Sequence, residues 1–262
     1  MEVVIATQIA MTRKPAISIC IPAYDMGGDG ARFLSESFQH LTAQSFEDFE
    51  VVVSDQSETP AVRDACRQFD DDMDIRWVDN RSGRRQASAN ANNAIRQARG
   101  RVVKILFQDD FLCHADALQE LAKAFEAPTC KWALMGSGVT YDGVTVKEPM
   151  VPRWHDQIRF GRNTVSSPSV LAFEAGHDLF FDENLIWLMD VDLYHGCFKT
   201  LGDPVILPGT LVANRLHPGQ VSQRVGRSLR RRELRRVMGK YGMPNGLADV
   251  RTFAYQYLKA LG

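Results

Sequence analysis

Two adjacent carboxylates, Asp109 and Asp110, follow an apolar run in the stretch "VVKILFQDDFLC". Such a run predicts a buried strand, so the carboxylates lie at its carboxyl end. Paired carboxylates offer the hard oxygen ligands that Mg²⁺ or Mn²⁺ binds together with phosphate oxygens. Adjacent aspartates at a strand end also act as turn formers or helix caps. The pair therefore indicates either a cation site or a structural turn, and the surrounding elements must distinguish the two.

Two further predicted strands end in residues that can bind a ligand. The run "AISICIPAY" ends in Pro22, Ala23 and Tyr24, and "FEVVVSDQS" reaches its end at Asp55. Ligands bind beyond the carboxyl ends of the strands in open α/β sheets, because loops and helix N-termini gather there. We therefore expect these residues to lie at the same edge of the sheet as the acidic pair.

The order of predicted elements indicates the fold class. Further strands are predicted over 74–80 and 101–107, and the Ala- and Asn-rich segment 85–100 is a predicted helix between them. Strands separated by helical crossovers imply a doubly wound, mainly parallel sheet flanked by helices. The second half is less regular, with one apolar stripe at helical spacing in "LIWLMDVDLYHGCFKTLG".

Composition narrows the function classes. The 262 residues contain 45% hydrophobic and 24% charged residues with a net charge of −1, which is typical of a globular α/β protein without general attraction to nucleic acid. The five scattered cysteines indicate reduced thiols and a cytoplasmic protein. The charge order around "MEVVIATQIAM" differs from that of a secretory signal, and no segment has the length of a membrane span. The absence of GxGxxG and GxxxxGK[ST] disfavours dinucleotide-binding oxidoreductases and P-loop phosphotransferases.

Four segments together resemble the family-two glycosyltransferases with the GT-A fold. In order and spacing these are "ISICIPAYD", "FEVVVSDQS", "NRSGRRQASANANNAIRQARGRVVKILFQDDFL" and "FDENLIWLMDVDLY". The resemblance covers roughly 16–220 and implies a Rossmann-like catalytic domain at 1–220. Its nucleotide-sugar half spans about 16–112 and its acceptor half about 113–220. Residues 221–262 then form a basic, helical C-terminal extension.

The resemblance also implies roles for the residues at the strand ends. Pro22, Ala23 and Tyr24 line the base and ribose pocket of a nucleotide-sugar, and Asp55 accepts a hydrogen bond from the base. Arg84 is a candidate for the donor diphosphate, since a guanidinium forms planar pairs with phosphate. A solvated basic loop accounts for Arg84 equally well.

A metal site is implied by the same comparison. Asp110 is the expected direct ligand of Mn²⁺ or Mg²⁺, and Asp109 turns toward the ribose or a metal-bound water. His217, in "NRLHPGQVS", resembles a late histidine that binds the metal or the diphosphate. An ordinary loop position is the alternative for this histidine.

A general base is expected in "MDVDLY". Asp190 and Asp192 lie about 200° apart on a helix, and periodicity does not choose between them. The resemblance implies Asp190 as the base and inversion by a single displacement. Trp154, in a loop-like segment, is the candidate acceptor contact, whereas Trp187 is assigned to the core.

The expected function is metal-assisted, inverting transfer of a sugar from a UDP-, GDP- or dTDP-linked donor to a saccharide or lipid-linked acceptor, in bacterial surface polysaccharide or glycolipid assembly. One alternative is a sugar nucleotidyltransferase, although "PAYDMGGDGAR" carries only Arg32 as a cation. The other is a catalytically inactive carbohydrate- or partner-binding domain. The basic segment 224–240 either contacts the inner face of the membrane peripherally or packs on the catalytic domain as a surface helix.

Overall fold

The computed structural model describes residues 14–220 and 225–259. The stretch "MEVVIATQIAM" and the first residues of the C-terminal extension, 221–224, lie outside the described residues. The described chain forms one nine-stranded sheet flanked by seven α-helices. The doubly wound, mainly parallel sheet with flanking helices is confirmed.

The strands are β1 (Ile17–Ala23), β2 (Phe49–Asp55), β3 (Ile75–Asp79), β4 (Val102–Ile105), β5 (Phe111–Leu112), β6 (Trp132–Thr140), β7 (Lys147–Met150), β8 (Leu171–Glu174) and β9 (Val205–Arg215). The helices are α1 (Gly30–Thr42), α2 (Ala61–Arg67), α3 (Ala87–Gln97), α4 (Ala117–Ala124), α5 (Met189–Leu201), α6 (Arg227–Tyr241) and α7 (Leu247–Lys259). Three short 3₁₀ segments lie at Met26–Gly28, Asp156–Phe160 and Pro168–Val170.

The first half of the sheet is parallel throughout, in the order β3-β2-β1-β4. The Val- and Ile-rich runs of β1, β2 and β4 are almost entirely buried, because helices cover both faces. In this register Ala23 pairs with Asp55, and Asp55 pairs with Asp79. The carboxyl ends of the first three strands therefore lie side by side.

The second half of the sheet contains antiparallel pairings. β8 pairs antiparallel with β4, and β6, β9 and β5 follow outward. β9 interrupts its register with β6 near Gly136, opposite the Pro208-Gly209 pair. Proline and glycine within a strand hide its pattern in the sequence, which explains why β9 is not among the predicted strands. Its last residues, Asn214 and Arg215, end at the edge that carries the acidic pair.

A clamp fixes the loop between β1 and α1. The Gln108 side chain accepts a hydrogen bond from the Tyr24 N–H at 2.6 Å and donates to the carbonyls of Tyr24 and Gly30. A Cβ at Gly30 would lie 2.1 Å from the Tyr24 carbonyl oxygen, so no larger residue fits at the start of α1. The clamp holds the ends of β1 and β4 in a fixed relation.

A buried carboxylate stabilises the opposite edge of the sheet. Glu50 accepts hydrogen bonds from the Ser18 hydroxyl and from the backbone N–H and Nε of Arg99. Burial acts to raise the pKa of Glu50, but these donors outweigh burial and lower the pKa. We expect Glu50→Gln to decrease the free energy of unfolding by about 1–3 kcal/mol in urea denaturation at pH 7, because buried donors lose their partner.

The exposed Glu58, paired with Arg85, provides the control. Glu58→Gln should change the unfolding free energy by less than about 0.5 kcal/mol. A carboxylate with a lowered folded pKa stabilises above its unfolded pKa, and that contribution disappears as the pH falls through the folded pKa. The difference between wild type and Glu50→Gln should therefore shrink in acid. An equal effect of both substitutions at pH 7 would contradict this account of Glu50.

The C-terminal helices pack on the rest of the chain. Leu234 and Val237 of α6 are fully buried, and α6 and α7 both contact the 3₁₀ segment Asp156–Phe160. The contacts support the packed surface helix of the two alternatives for the basic segment, because its central apolar residues already have protein partners. No helix in the described ranges is both long and apolar enough to cross a membrane.

Candidate functional site

The ends of β1 and β2 lie side by side at Asp55. One Asp55 oxygen accepts a hydrogen bond from the Ser57 N–H and the other from the Trp77 indole, both at 2.8 Å. These donors hold the buried carboxylate in one orientation while each oxygen keeps a lone pair. Ala23 lies beside Asp55 in register and is buried, whereas Tyr24 is 43% exposed.

Pro22 and the loop after β1 lie next to the end of β2. Pro22 is buried and pairs in register with Ser54 on β2. The Asp25 carboxylate accepts a hydrogen bond from the Glu58 N–H at 2.6 Å and another from the Thr59 hydroxyl. The loops after β1 and β2 are thereby joined, and the residues expected to bind a base and ribose lie together.

The acidic pair lies at the same edge, and Asp109 contacts His217. The Asp109 Oδ2 is 3.1 Å from the His217 Nε2, and each side chain is 15% exposed. The Gly219 N–H donates to the His217 Nδ1 at 3.2 Å, which leaves Nε2 as the atom that faces Asp109. Sequence positions more than one hundred residues apart thus meet at one point.

Asp110 is buried beneath this contact and has its own donors. Its Oδ1 accepts a hydrogen bond from the Arg215 N–H at 2.9 Å, and its Oδ2 lies 3.2 Å from the Ser167 hydroxyl. Burial raises the pKa of Asp110, and the charge of Asp109 raises it further. The structure makes Asp109, rather than Asp110, the more accessible carboxylate of the pair.

Arg215 joins several parts of this site. Besides its backbone bond to Asp110, its Nε donates to the Asp109 carbonyl at 3.1 Å and its Nη2 pairs with Glu36 of α1. The guanidinium lies over two phenylalanine rings. Arg215 therefore fixes the backbone and side chain of the acidic pair relative to α1.

A buried lysine, Lys104, belongs to the same part of the structure as Asp110. Lys104 of β4 is fully buried, and its ammonium donates to the carbonyls of Ile105 and Ser169. Burial lowers the pKa of Lys104 to about 7, and the charge of Asp110 opposes that shift. Burial thus disfavours the ammonium form of Lys104, and the charge of Asp110 favours it.

Two side chains of the site, Asp109 and His217, could act as ligands of a divalent cation. Within 14–220 and 225–259, no group of three or more His, Cys, Asp or Glu side chains is arranged to hold a metal ion. Asp109 and His217 nevertheless present a carboxylate oxygen and an imidazole nitrogen side by side. Mg²⁺ and Mn²⁺ sites commonly complete their coordination with substrate phosphate oxygens and water. The donor set therefore fits a cation that is bound together with a phosphorylated ligand.

Asp190 lies at the second position of α5 and is partly buried. Its Oδ2 accepts a hydrogen bond from the Asn163 amide at 2.8 Å, and its Oδ1 accepts one from the Val191 N–H at 2.7 Å. Burial raises the pKa of Asp190 to about 7, and these hydrogen bonds oppose the rise. A carboxyl with this pKa can accept a proton near neutral pH.

A loop connects Asp190 with the acidic pair. Asn163, which binds Asp190, also donates to the Ser166 carbonyl at 2.9 Å. The next residue, Ser167, lies beside Asp110, and its carbonyl accepts a hydrogen bond from Tyr194 at 2.7 Å. Ser166 itself has φ of 111°, a strained conformation for a non-glycine residue. The loop 163–167 therefore positions the carboxylates of Asp190 and Asp110 relative to each other.

Asp192 has a different environment, as its opposite position on the helix predicts. It is buried, and its oxygens lie 2.6 and 2.8 Å from the Lys240 ammonium. The Tyr241 hydroxyl donates to the same carboxylate. Asp192 therefore anchors α6 to α5, and Asp190 is the carboxylate of this helix that faces the loop 163–167.

Arg84 and Trp154 are the other residues that the sequence predicts to contact substrate. Arg84 is exposed and lines an open pocket of about 410 Å³ with Asn184, Arg232, Glu233 and Arg236. Trp154 packs in an aromatic cluster, with its ring centroid 4.9 Å from Phe198 near the far end of α5 and 5.5 Å from Trp132. The structure thus brings Arg84 near the segment before α5 and does not bring Trp154 to the residues around Asp190.

Trp187 packs against the hydrophobic core, as the core assignment expects. It is partly buried just before α5, and the Arg230 guanidinium lies 5.1 Å from its ring centroid.

A second open pocket of about 410 Å³ adjoins the other side of the site, with Phe33, Tyr141 and His217 among its lining residues. Both pockets open beside residues that are expected to bind substrate.

A family model for glycosyl transferase family 2 matches residues 18–187, which is more than half of the chain. A validoxylamine A glucosyltransferase of Streptomyces hygroscopicus subsp. jinggangensis is 31% identical over 134 residues. This match covers 51% of the chain and 31% of the relative, so the chain spans about a third of the length of that protein.

Solved structures give the same fold. The structure of S. aureus TarS 1-349 in complex with UDP-GlcNAc matches with a TM-score of 0.68 and 16% identity, over 95% of this chain and 72% of that one. The mannosyltransferase PcManGT from Pyrobaculum calidifontis, in complex with GDP-Man and Mn²⁺, matches with a TM-score of 0.62 and 18% identity, over 95% and 70%. At these identities the likeness concerns the fold alone.

Proposed function

The chain belongs to glycosyltransferase family 2 and has the GT-A fold, and on this basis we propose that it transfers a sugar from a nucleotide-sugar to an acceptor hydroxyl with inversion. One observation carries the proposal. The ends of β1, β2 and β4 bring the Asp55 carboxylate to the same edge of the sheet as the Asp109–His217 contact, and the loop 163–167 connects Asp110, the neighbour of Asp109, with Asp190.

The donor occupies the strand ends in this proposal. Tyr24 stacks on the nucleoside, and Asp55 accepts a hydrogen bond from an N–H of the base through its remaining lone pairs. Pro22 and Ala23 form the floor of this pocket, and Arg84 faces a phosphate from the loop after β3. The fixed orientation of Asp55, held by Ser57 and Trp77, supports its role as a selective acceptor.

Asp190 is the general base. An oxygen of the acceptor attacks the anomeric carbon from the face opposite the diphosphate, the new glycosidic bond forms, and the bond to the diphosphate oxygen breaks. The proton of the attacking hydroxyl moves to the Asp190 carboxylate, whose pKa of about 7 suits this transfer. Asn163 holds the carboxylate in the orientation that this step requires.

A divalent cation, Mn²⁺ or Mg²⁺, fits beside Asp109 and His217, and Asp110 contributes its charge from below. When bound, such a cation neutralises charge that develops on the departing diphosphate. Arg215 fixes both aspartates, so their negative charge stays at the end of β4.

The donor is a UDP-, GDP- or dTDP-linked sugar, and the acceptor is a saccharide or lipid-linked saccharide of bacterial surface polysaccharide or glycolipid assembly. We place the reaction in the cytoplasm, which the five free cysteines support. The catalytic unit is 1–220, and 221–262 is its helical extension. Within the described part of the basic segment 224–240, Leu234 and Val237 are buried, so this helix would meet a membrane through its exposed arginines.

Nucleotide-dependent stabilisation tests this function. Ligands that bind only the native state raise its stability, so UDP, GDP or dTDP with Mn²⁺ should raise the unfolding temperature. We expect Asp55→Asn to weaken the preferred nucleotide about tenfold, since an amide presents a donor where the base needs an acceptor. Nucleotide titration followed by unfolding temperature measures the change.

Asp79 provides the control, because it pairs with Asp55 in register and lies exposed beside Arg81. Asp79→Asn should bind the nucleotide with unchanged affinity. Subsequent screening of nucleotide-sugars for hydrolysis and transfer identifies the donor. Absence of stabilisation by every nucleoside diphosphate, with and without metal, would favour the inactive binding domain. A sugar nucleotidyltransferase is disfavoured because Arg32 already pairs with Asp29 and Glu36.

A further inference from the structure

The backbone just before α5 directs three consecutive N–H groups at one carboxylate. Glu233 of α6 accepts hydrogen bonds from Ile186 at 2.8 Å and from Trp187 and Leu188 at 2.9 Å. Glu233 is only 1% exposed. A carboxylate far along the chain therefore binds the backbone at the start of the helix that carries Asp190.

This contact lies at Leu188, the N-cap residue of α5, and at the two residues before it. The first N–H groups of a helix lack partners within the helix, and a nearby side chain commonly accepts from them. Leu188, the N-cap residue of α5, has an apolar side chain that cannot do so. An ionised carboxylate has only acceptor sites, so Glu233 can serve all three donors at once.

Two ion pairs fix the same segment on either side. Arg236 binds Asp182 with two hydrogen bonds of 3.0 Å, and Lys240 binds Asp192. Together with Glu233, these residues connect α6 to the segment 182–192 at three points. The position of Asp190 therefore depends on α6, although α6 follows it by more than thirty residues.

We propose that Glu233 is a positioning residue for the general base: it holds the backbone of 186–188 so that Asp190 faces the acceptor hydroxyl. This role rests on the proposed transfer reaction. It also explains why the strongly basic helix contains a single glutamate, since that residue binds backbone donors rather than the neighbouring arginines.

The charge of Glu233 adds an effect that a purely structural contact lacks. The groups that face Asp190 are Glu233 from α6, the neutral amide of Asn163 from the loop, and Tyr194 from α5. After burial, the negative charge of Glu233 raises the pKa of Asp190. Removal of the Glu233 charge therefore lowers the pKa of Asp190, and Asp190 stays deprotonated at lower pH.

The variant Glu233→Gln tests both effects. A glutamine oxygen cannot serve three N–H donors, so we expect kcat to fall about tenfold with the KM for the donor unchanged. The acid limb of the kcat–pH profile should move to lower pH. Glu233→Asp keeps the charge and shortens the side chain, so kcat should fall while the acid limb stays near its wild-type position.

Asp249 of α7 provides a matched control. It is a buried carboxylate of the same C-terminal region, but it pairs with Arg159 rather than with the segment before α5. Asp249→Asn should lower the unfolding temperature without moving the acid limb. An equal shift of the limb in Glu233→Asp and Glu233→Gln, or an unshifted limb in Glu233→Gln, would overturn the proposal.

Two measurements in the absence of substrate separate this inference from the proposed function. Amide hydrogen exchange of 186–188 should accelerate in Glu233→Gln, and the pKa of Asp190, followed by carboxyl NMR, should fall. If wild type transfers no sugar but these two changes occur, the proposed function fails and the positioning contact stands. If exchange and the pKa of Asp190 are unchanged, the inference fails whatever the activity.

Discussion

Replacement of Asp190 by asparagine is expected to lower the rate of sugar transfer by about 10²–10⁴-fold, the range that general base catalysis contributes. Asparagine keeps one oxygen, which can still accept a hydrogen bond from the Val191 N–H, whereas its NH2 group replaces the oxygen that accepts from the Asn163 amide. It cannot accept the acceptor proton. Donor affinity, measured by titration with the nucleotide-sugar, should remain at its wild-type value.

The pH dependence of wild type gives the same prediction a second readout. Asp190 acts only when deprotonated, and burial raises its pKa to about 7. The kcat should therefore be constant above neutrality and decrease tenfold per pH unit below about pH 7. In Asp190→Asn this limb should disappear from the residual rate.

Asp192→Asn is the control for Asp190→Asn, since both residues lie on α5 and only Asp192 binds Lys240 and Tyr241. The control keeps the Asp190 carboxylate, so it should reduce stability, retain the acid limb of the kcat–pH profile and lose far less kcat than Asp190→Asn. Transfer by Asp190→Asn at the wild-type rate would show that another group removes the proton.

Loss of the metal donors is the second large effect. Asp109→Ala and His217→Ala should each abolish the additional stabilisation that Mn²⁺ gives to a bound nucleoside diphosphate, and should lower transfer about 100-fold. The two side chains lie 3.1 Å apart and supply different donor atoms, so removal of either one leaves an incomplete site. Thermal unfolding with UDP or GDP, with Mn²⁺ or with EDTA, measures the binding effect.

Asp29→Asn controls for the loss of a negative charge, because Asp29 is an exposed carboxylate that lines the pocket next to His217. It should keep the full Mn²⁺-dependent increase in unfolding temperature. Retention of that increase in both Asp109→Ala and His217→Ala would place the cation elsewhere.

The parallel half of the fold can be predicted from the sequence because its signals are local. The Val- and Ile-rich run at 49–55 and the apolar run before Asp109 have lengths and ends that only buried strands match. The rule that ligands bind at strand ends then brings Asp55 and the acidic pair together. The antiparallel strands depend on distant pairings, and the Pro-Gly interruption in β9 hides that strand.

The supporting residues of the site have no local signal. The sequence contains many charged residues, and nothing in it distinguishes Arg215 or Glu233 as a residue of the site. Only the fold shows that each of the two binds backbone groups elsewhere in the chain. Trp154 illustrates the same limit, because it lies between Arg153 and His155 in the sequence and yet packs on Phe198.

The central claim is that a cation and the donor diphosphate meet at the end of β4, beside Asp109 and His217. A crystal of the protein soaked with its nucleotide-sugar and Mn²⁺, measured at a wavelength where manganese scatters anomalously, tests it most directly. The predicted result is an anomalous peak in coordination contact with Asp109, His217 and the diphosphate, with the base against Asp55. An ordered donor with no peak at that position, or a nucleotide bound elsewhere, would contradict the account.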